Sequence, residues 1–270
     1  MDVSFGVTFP EEMDYTRIGA FAQMVEALGF DSLWATDNPF SNSPAPEVLT
    51  TLAIMAASTR RALVGTAVLV LPARNPVIVA QALATLDVAT QGRIILGAGV
   101  GGGTARHLEP LQYDATTRGR RCEEQIALLK RLWTEADVVH EGEFYRLNGY
   151  TLLPQPVTRP HPPIWLGGTP GGYADRVLRR AGQLADGYMP VLLTPDAYRQ
   201  MVSTLDAYAC HAGRAASAIT KALHIYYRLA DTPSQAAEAT SAVLSERYQR
   251  PSPVAADAMS MFGPVERCKQ

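Results

Sequence analysis

Residues 63–103 read LVGTAVLVLPARNPVIVAQALATLDVATQGRIILGAGVGGG, and this stretch decides the fold class. Leu63–Leu71 is an apolar, β-branched run that is typical of a buried strand. Pro76–Ala89 has proline at its first turn and a helical pattern, and Arg93–Ala98 is again a strand. The order strand, helix, strand predicts one βα unit of a parallel sheet.

The same alternation continues on both sides of this unit. Five more strands are predicted, at Val3–Thr8, Asp31–Thr36, Ile164–Leu166, Gly187–Leu192 and Ala222–Ala230. Six more helices are predicted, at Tyr15–Leu28, Pro46–Ser58, Gly119–Trp133, Tyr173–Leu184, Pro195–Ala212 and Pro233–Gln249. Seven strands, each followed by a helix, favour a closed (β/α)8 TIM barrel in an α/β protein, and the alternative is an open doubly wound sheet.

Two segments depart from the alternation. Residues 137–162 contain VVHEGEFYRLNGYTLLPQPV, which predicts a β-hairpin followed by a proline-rich return. No eighth strand is predicted, because after Phe262 the chain reads GPVERCKQ, which has the character of a helix start. We therefore expect one barrel domain over residues 1–270, with an insertion at about 137–162 and a truncated C-terminal unit.

The composition narrows the classes of function. Hydrophobic residues make up 47% of the chain and charged residues 19%, which excludes intrinsic disorder. The 24 basic and 26 acidic side chains nearly balance, which argues against a general nucleic-acid binder. The three cysteines are far apart and indicate free thiols, and no pattern predicts a metal site, a membrane span or a signal peptide. We expect a cytoplasmic homodimer that acts on a small molecule.

The run GRIILGAGVGGG, residues 92–103, is the densest glycine signal. It contains a formal G-x-G-x-x-G at Gly97, Gly99 and Gly102, directly after a strand. A dinucleotide site would need a helix to open at the third glycine, and no helical pattern follows there. We interpret the run as a strand end where a flat ring or a phosphate lies against bare backbone. The alternative is a glycine loop without a ligand.

A second glycine segment follows the strand that ends at Leu166. The chain passes through Gly167, Gly168 and Thr169 before a helix begins near Tyr173. Backbone N–H groups at a helix N-terminus, with a hydroxyl nearby, favour anions, so this segment is the best phosphate site in the sequence. The alternative is an ordinary glycine-rich βα turn.

Several motifs together carry a resemblance to a known family. They are the quoted stretch at 63–103, RGRRCEEQIALLKRLW, HEGEFYRL, PQPVTRPHPPIWLGG and RRAGQLADGYMP. In this order they resemble the luciferase-like monooxygenase superfamily, and in particular its deazaflavin-dependent branch. The resemblance covers nearly the whole chain and implies a (β/α)8 barrel with an insertion after the fourth unit.

The resemblance also implies a cofactor ring across the carboxyl ends of the barrel strands. Asp37–Asn38 match the family's Asp-His pair, and Asn38 is a departure because an amide cannot shuttle a proton near neutral pH. Ala67–Val68 match a bulge in the third strand that backs the ring, in some members through a cis non-proline bond. The segment from Gly99 to Gly102 matches the strand end beside the ring.

Six further positions follow from the same resemblance. Val100 and Gly101 lie within the fourth-strand segment and are cofactor-binding candidates with Gly99 and Gly102. Gly167, Gly168 and Thr169 match the family's phosphate loop. His107 stands where relatives often have a glutamate and is a catalytic candidate together with Asn38; its alternative is a solvated loop residue.

The activity implied is that of an F420-dependent oxidoreductase, with hydride transfer between the deazaflavin and a small organic substrate. One alternative is an FMN-dependent monooxygenase that uses reduced flavin and oxygen. A second alternative is a barrel that binds the cofactor without catalysis. The chain contains none of the patterns G-x-x-x-x-G-K-[ST], H-E-x-x-H, C-x-x-C or G-x-S-x-G, so nothing predicts a nucleotide triphosphatase, a zinc protease or a serine hydrolase.

Overall fold

The computed structural model describes residues 3–39, 44–101, 114–168, 174–248, 251–254 and 260–268. Contacts within the chain divide it into two compact units. The first comprises Met1–Phe40 and Pro44–Trp165, and the second comprises Ser41–Ser43 and Leu166–Gln270.

The first unit is built on a parallel sheet. The strands of the first unit are β1 (Gly6–Thr8), β2 (Ser32–Ala35), β3 (Leu63–Thr66), β4 (Leu69–Val70), β5 (Ile94–Gly99), β6 (Val138–Glu141), β7 (Arg146–Tyr150) and the start of β8 (Ile164–Gly168). Its helices are α1 (Ile18–Ala27), α2 (Val48–Ser58), α3 (Pro76–Thr90) and α4 (Arg118–Thr134). The sheet order is β1-β2-β3-β5, all parallel, and β4 also pairs with β5.

The central strands of this sheet are buried along their whole length. Every residue of β2 and of β5 is buried, and helices lie between the strands in sequence. Parallel strands that are covered on both faces are expected to be continuous apolar runs, which is the pattern that predicted them. The α3 helix begins where the sequence indicated, because the Asn75 side chain accepts from the Val77 N–H at 2.9 Å and Pro76 occupies the first turn.

The prediction of one continuous strand over Leu63–Leu71 is wrong in one respect. It is divided into β3 and β4, and the two residues between them, Ala67 and Val68, are joined by a cis peptide bond. The cis bond that the family resemblance implied at this position is therefore present. The predicted hairpin is confirmed, since β6 and β7 pair in antiparallel register.

The second unit continues the alternation after the end of β8. Its elements are α5 (Ala174–Leu184), β9 (Gly187–Pro190), α6 (Pro195–His211), β10 (Thr220–Lys221), β11 (Tyr226–Leu229), α7 (Pro233–Tyr248), β12 (Ser260–Gly263) and α8 (Val265–Cys268). The β9 and β10 strands pair in parallel, and so do β11 and β12.

Two strands of the second unit differ from the prediction. The predicted strand Ala222–Ala230 is shorter in the structure, where β11 covers Tyr226–Leu229. The β10 strand, Thr220–Lys221, ends just before the predicted strand begins, and His224 forms a single bridge with Val191. The β12 strand was not predicted; it packs Phe262 against Ala236 and Leu244 of α7. The α/β class and the alternating order are confirmed, whereas the closure of a barrel stays a prediction. None of the described helices combines the length and apolar character that a bilayer span requires.

The segment that follows the β6–β7 hairpin is held against α3 by a buried carboxylate. Asp87 has no exposed surface, and it accepts hydrogen bonds from the N–H groups of Val157 (2.8 Å) and Thr158 (2.9 Å) and from the Thr158 hydroxyl (2.8 Å). We predict that Asp87→Ala lowers the free energy of unfolding by about 3 kcal/mol, because two backbone N–H groups and one hydroxyl lose a fully buried acceptor.

Urea unfolding measures this change. The matched control is Asp196→Ala, which removes an exposed carboxylate that pairs with the exposed Arg199 on the surface of α6 and is expected to change stability little. Equal losses in the two variants would contradict the anchoring role of Asp87.

Candidate active site

The end of β2 is fastened to the segment that follows β3. The Ala67 N–H donates to the Ala35 carbonyl oxygen at 2.7 Å. The Asp37 carboxylate, 2% exposed, accepts from the Val70 N–H at 2.8 Å and from the Arg74 guanidinium at 2.8 Å. Burial raises the pKa of Asp37, and the Arg74 cation and the Val70 N–H oppose that rise. Asp37 therefore fixes the bulge at Ala67–Val68 from the side of β2.

A second buried side chain holds the same segment from the side of α4. Gln125 is fully buried, and its amide donates to the carbonyl oxygens of Leu71 (3.2 Å) and Arg74 (2.8 Å). Arg74 also lies 3.3 Å from Glu47, which caps α2 by accepting from the Thr50 N–H at 2.7 Å. The backbone after the bulge is thus held by both neighbouring elements.

Close packing against β3 and the bulge explains why β5 has glycine at positions 97 and 99. A Cβ atom on Gly97 would overlap the carbonyl oxygen of Thr66, whose hydroxyl donates to the Gly97 carbonyl oxygen at 2.7 Å. A Cβ atom on Gly99 would lie 2.6 Å from a methyl carbon of Val68. The glycine spacing that predicted a ligand site therefore also allows β3 and the bulge to pack closely on β5.

The surface left at these strand ends is small and mostly apolar. Ala67, Val68, Val100 and Gly101 are half-buried, so part of each remains accessible, and Gly101 has a φ of +78°. Asn38 is half-buried and follows Asp37 directly. We call Ala67, Val68, Val100 and Gly101 the strand-end platform. This apolar surface suits one face of a flat, uncharged ring, and the Asn38 amide lies at the border of the platform.

The second unit contains the other predicted segment. Gly167 and Gly168 are half-buried at the end of β8, and the Gly168 carbonyl oxygen accepts from the Val191 N–H at 3.1 Å. A Cβ atom on Gly168 would overlap the hydroxyl oxygen of Tyr188. A side chain at position 168 would therefore meet the Tyr188 hydroxyl first. Gly102, His107 and Thr169 lie outside the described residues.

Sequence reasoning missed one buried acid at these strand ends. Glu11, 6% exposed, lies three residues after β1 and accepts a hydrogen bond from the Thr36 hydroxyl just beyond β2. The sequence contained this signal, because a charged residue in the first turn after a predicted strand of a parallel sheet lies at the carboxyl end of that strand. The other residue missed is Tyr188.

Two open clefts of the first unit lie elsewhere. One is lined by Gln91, Gly92, Val157 and Thr158, and the other by residues that include Trp133, Gln155 and Arg159. Gly92 precedes β5, so the first cleft is at the amino end of that strand. Neither cleft contains a residue predicted for the site.

Comparison with known proteins identifies the family. The family model described as luciferase-like monooxygenase matches residues 4–260. The chain belongs to the luciferase-like monooxygenase family. The resemblance drawn from the motifs is therefore confirmed.

Named relatives of this luciferase-like chain fall into two cofactor classes. It is 32% identical over 262 residues to an F420-dependent glucose-6-phosphate dehydrogenase of Kineococcus radiotolerans, covering 94% of this chain and 74% of the relative. It is 31% identical over 259 residues to an FMNH(2)-dependent dimethylsulfone monooxygenase of Pseudomonas putida, covering 93% of this chain and 66% of the relative. Both relatives are oxidoreductases by name.

Solved structures support the fold. An F420-dependent secondary alcohol dehydrogenase, solved with an F420-acetone adduct, has a TM-score of 0.80 at 20% identity and covers 99% of this chain and 90% of its own. Monooxygenase RslO1 from Streptomyces bottropensis has a TM-score of 0.77 at 26% identity, covering 92% and 78%. The α/β fold of the luciferase-like family is thus confirmed.

The role of Asp37 can be tested by comparing two substitutions. Asp37→Ala leaves the buried Val70 N–H without its acceptor and leaves Arg74 with Glu47 as its counter-charge, and we predict a loss of about 3 kcal/mol in the free energy of unfolding. Asp37→Asn keeps a neutral acceptor for the Val70 N–H and is expected to lose clearly less. Chemical denaturation of both variants measures the difference, and equal losses would contradict the hydrogen bond from Val70.

Proposed function

We propose that this chain is an oxidoreductase that uses coenzyme F420 and transfers a hydride between the deazaflavin and a small organic substrate. The observation that carries the proposal is the strand-end platform, an apolar surface held rigidly by Asp37 and Gln125. The 32% identity to an F420-dependent dehydrogenase over 94% of the chain supports the choice of cofactor. We further propose a closed (β/α)8 barrel with the hairpin as an insertion, and a homodimer.

The residues present fit such a cofactor. Ala67, Val68, Val100 and Gly101 offer apolar, partly accessible surface without a charged side chain, which suits a tricyclic ring. Gly99 and Gly102 belong to the same proposed contact. In the second unit we propose that Gly167, Gly168 and Thr169 hold the phosphate, because bare backbone before a helix favours an anion.

When bound, the deazaflavin accepts or donates the hydride, and the protein supplies binding and orientation. The platform would support one face of the ring and keep water from it. Asn38 would orient a polar group of the substrate through its amide, and it cannot carry a proton near neutral pH. We propose His107 as the second catalytic residue. Asp37 acts indirectly, since its carboxylate is engaged by Val70 and Arg74.

A second function is favoured by a separate observation. The 31% identity to an FMNH(2)-dependent monooxygenase over 93% of the chain supports reduced FMN and oxygen as an alternative to the deazaflavin. FMN and the deazaflavin share a tricyclic ring and a ribityl phosphate, so the platform suits both. The third possibility, cofactor binding without catalysis, requires that a bound cofactor is never turned over.

Titration of the protein with each cofactor separates these functions. We predict that F420 binds with a change in its fluorescence and binds more tightly than FMN, because an F420-dependent relative is 32% identical over 94% of this chain. Val100→Glu is expected to weaken both cofactors at least tenfold, because it places a charge against the ring. Val100→Ala is the milder variant if the first does not fold.

The matched control is Val139→Glu, which changes an exposed valine of the hairpin (55% exposed) and is expected to leave binding intact. Tight binding of FMN with no response to F420 would reverse the ranking of cofactors. Binding of F420 without consumption of the reduced coenzyme, over a panel of ketones and electrophilic alkenes, would favour the non-catalytic barrel.

A further inference from the structure

The hairpin carries a reactive pair of residues that the proposed function does not use. The motif HEGEFYRL is followed directly by Asn148 and Gly149, the only Asn-Gly sequence in the chain. Both residues are exposed and belong to β7. The register between β6 and β7 shifts beside them, so that Asn148 and Gly149 together face the single residue Val139. Two residues opposite one form a β-bulge, which interrupts the regular pairing of the ladder.

The backbone at Gly149 is open on the side where a side chain would stand. Its φ is +71°, and among the described residues a Cβ atom built on Gly149 would have no heavy atom within 4 Å apart from its chain neighbours. Since glycine has no Cβ atom, nothing on this residue shields its own backbone nitrogen from the side chain of Asn148. The nitrogen and the amide carbon of Asn148 are therefore adjacent in the chain, exposed to water and unobstructed.

We propose that Asn148 is a site of spontaneous deamidation. The Gly149 nitrogen loses its proton and attacks the side-chain amide carbon of Asn148, and the new C–N bond closes a cyclic imide as ammonia leaves with the side-chain nitrogen. Water then opens one of the two carbonyl groups of the imide, which gives either aspartate or an isoaspartyl linkage. The step consumes one water and releases one ammonia, and it needs no oxidant and no cofactor. The attack is intramolecular, so it is favoured by proximity.

Two other asparagines of the chain cannot react by this route. Asn38 and Asn75 are each followed by proline, which has no backbone N–H and so no nitrogen that can close the imide. The Asn75 side chain is also engaged at the start of α3, where it accepts from the Val77 N–H at 2.9 Å. Both serve as internal references in the same protein.

The product would change the hairpin locally. The tip of the hairpin is held on α4 by Glu124, which lies 3.0 Å from the His140 ring and accepts from the N–H groups of Phe144 (3.0 Å) and Tyr145 (2.9 Å). An isoaspartyl linkage at position 148 lengthens the main chain beyond this anchored tip. We therefore expect the tip to stay attached and the pairing of β6 with β7 beside Val139 to loosen.

Peptide mass spectrometry tests the reaction. Wild-type protein is incubated in its native state at neutral and at mildly alkaline pH, and isoaspartyl groups are labelled with a protein isoaspartyl methyltransferase. We expect the peptide that contains Asn148 to gain the mass difference between an amide and a carboxyl group and to take up the label. The conversion should be faster at alkaline pH, because the Gly149 nitrogen must lose a proton. The peptides that contain Asn38 and Asn75 should stay unchanged.

Two variants complete the test. Asn148→Gln has a longer side chain that disfavours ring closure, and it should keep this peptide unlabelled. Asn148→Asp adds the negative charge without first lengthening the main chain. Hydrogen exchange in β6 beside Val139 should therefore be faster in the isoaspartyl form than in freshly purified Asn148→Asp.

Three results would overturn the inference: no conversion of native protein, conversion only after unfolding in urea, or conversion of Asn38 and Asn75 as fast as that of Asn148. None of them bears on the proposed function, because the reaction involves no cofactor.

Discussion

The close approach of β3 to β5 is the constraint on which the first unit depends. The carbonyl oxygen of Thr66 occupies the place where any residue but glycine at position 97 would have its Cβ atom. The Thr66 hydroxyl completes the contact by donating to the Gly97 carbonyl oxygen at 2.7 Å. Because the two backbones lie this close, the chain can leave β3, form the Ala67–Val68 bulge and return as β4 to the same neighbour, β5.

The bulge at Ala67–Val68 is held in place by contacts from three sides. Asp37, which follows β2, and Gln125 of α4 both hold the backbone just after the bulge. Within the bulge, Val68 packs on Gly99. An apolar surface that is held in this way loses little conformational freedom when a flat ring binds, which is the physical advantage of a preorganised site. The Asp37 carboxylate therefore serves the backbone, and the residues of the strand-end platform are small and uncharged.

Periodicity predicted the alternation of strands and helices because buried parallel strands are continuous apolar runs and their helices carry apolar stripes. It could not divide Leu63–Leu71 at Ala67, since the apolar pattern continues through the bulge; only the family resemblance pointed to that position. Nor could it find Tyr188 above Gly168, because that contact joins two strands and leaves no mark in either segment. The β12 strand was missed because Ser260–Gly263 contains no β-branched residue and leads straight into the segment where a helix start was predicted. The glycines at 97 and 99 were singled out from the sequence for a ligand, which stays a prediction, whereas their packing role could be seen only in the structure.

The most direct measurement is a crystal structure of the protein with F420 bound. Our account predicts ring density against Ala67, Val68 and Val100, with the Asp37 carboxylate still bonded to Val70 and Arg74. Density for the ring at another surface, such as the cleft lined by Gln91 and Thr158, would contradict it.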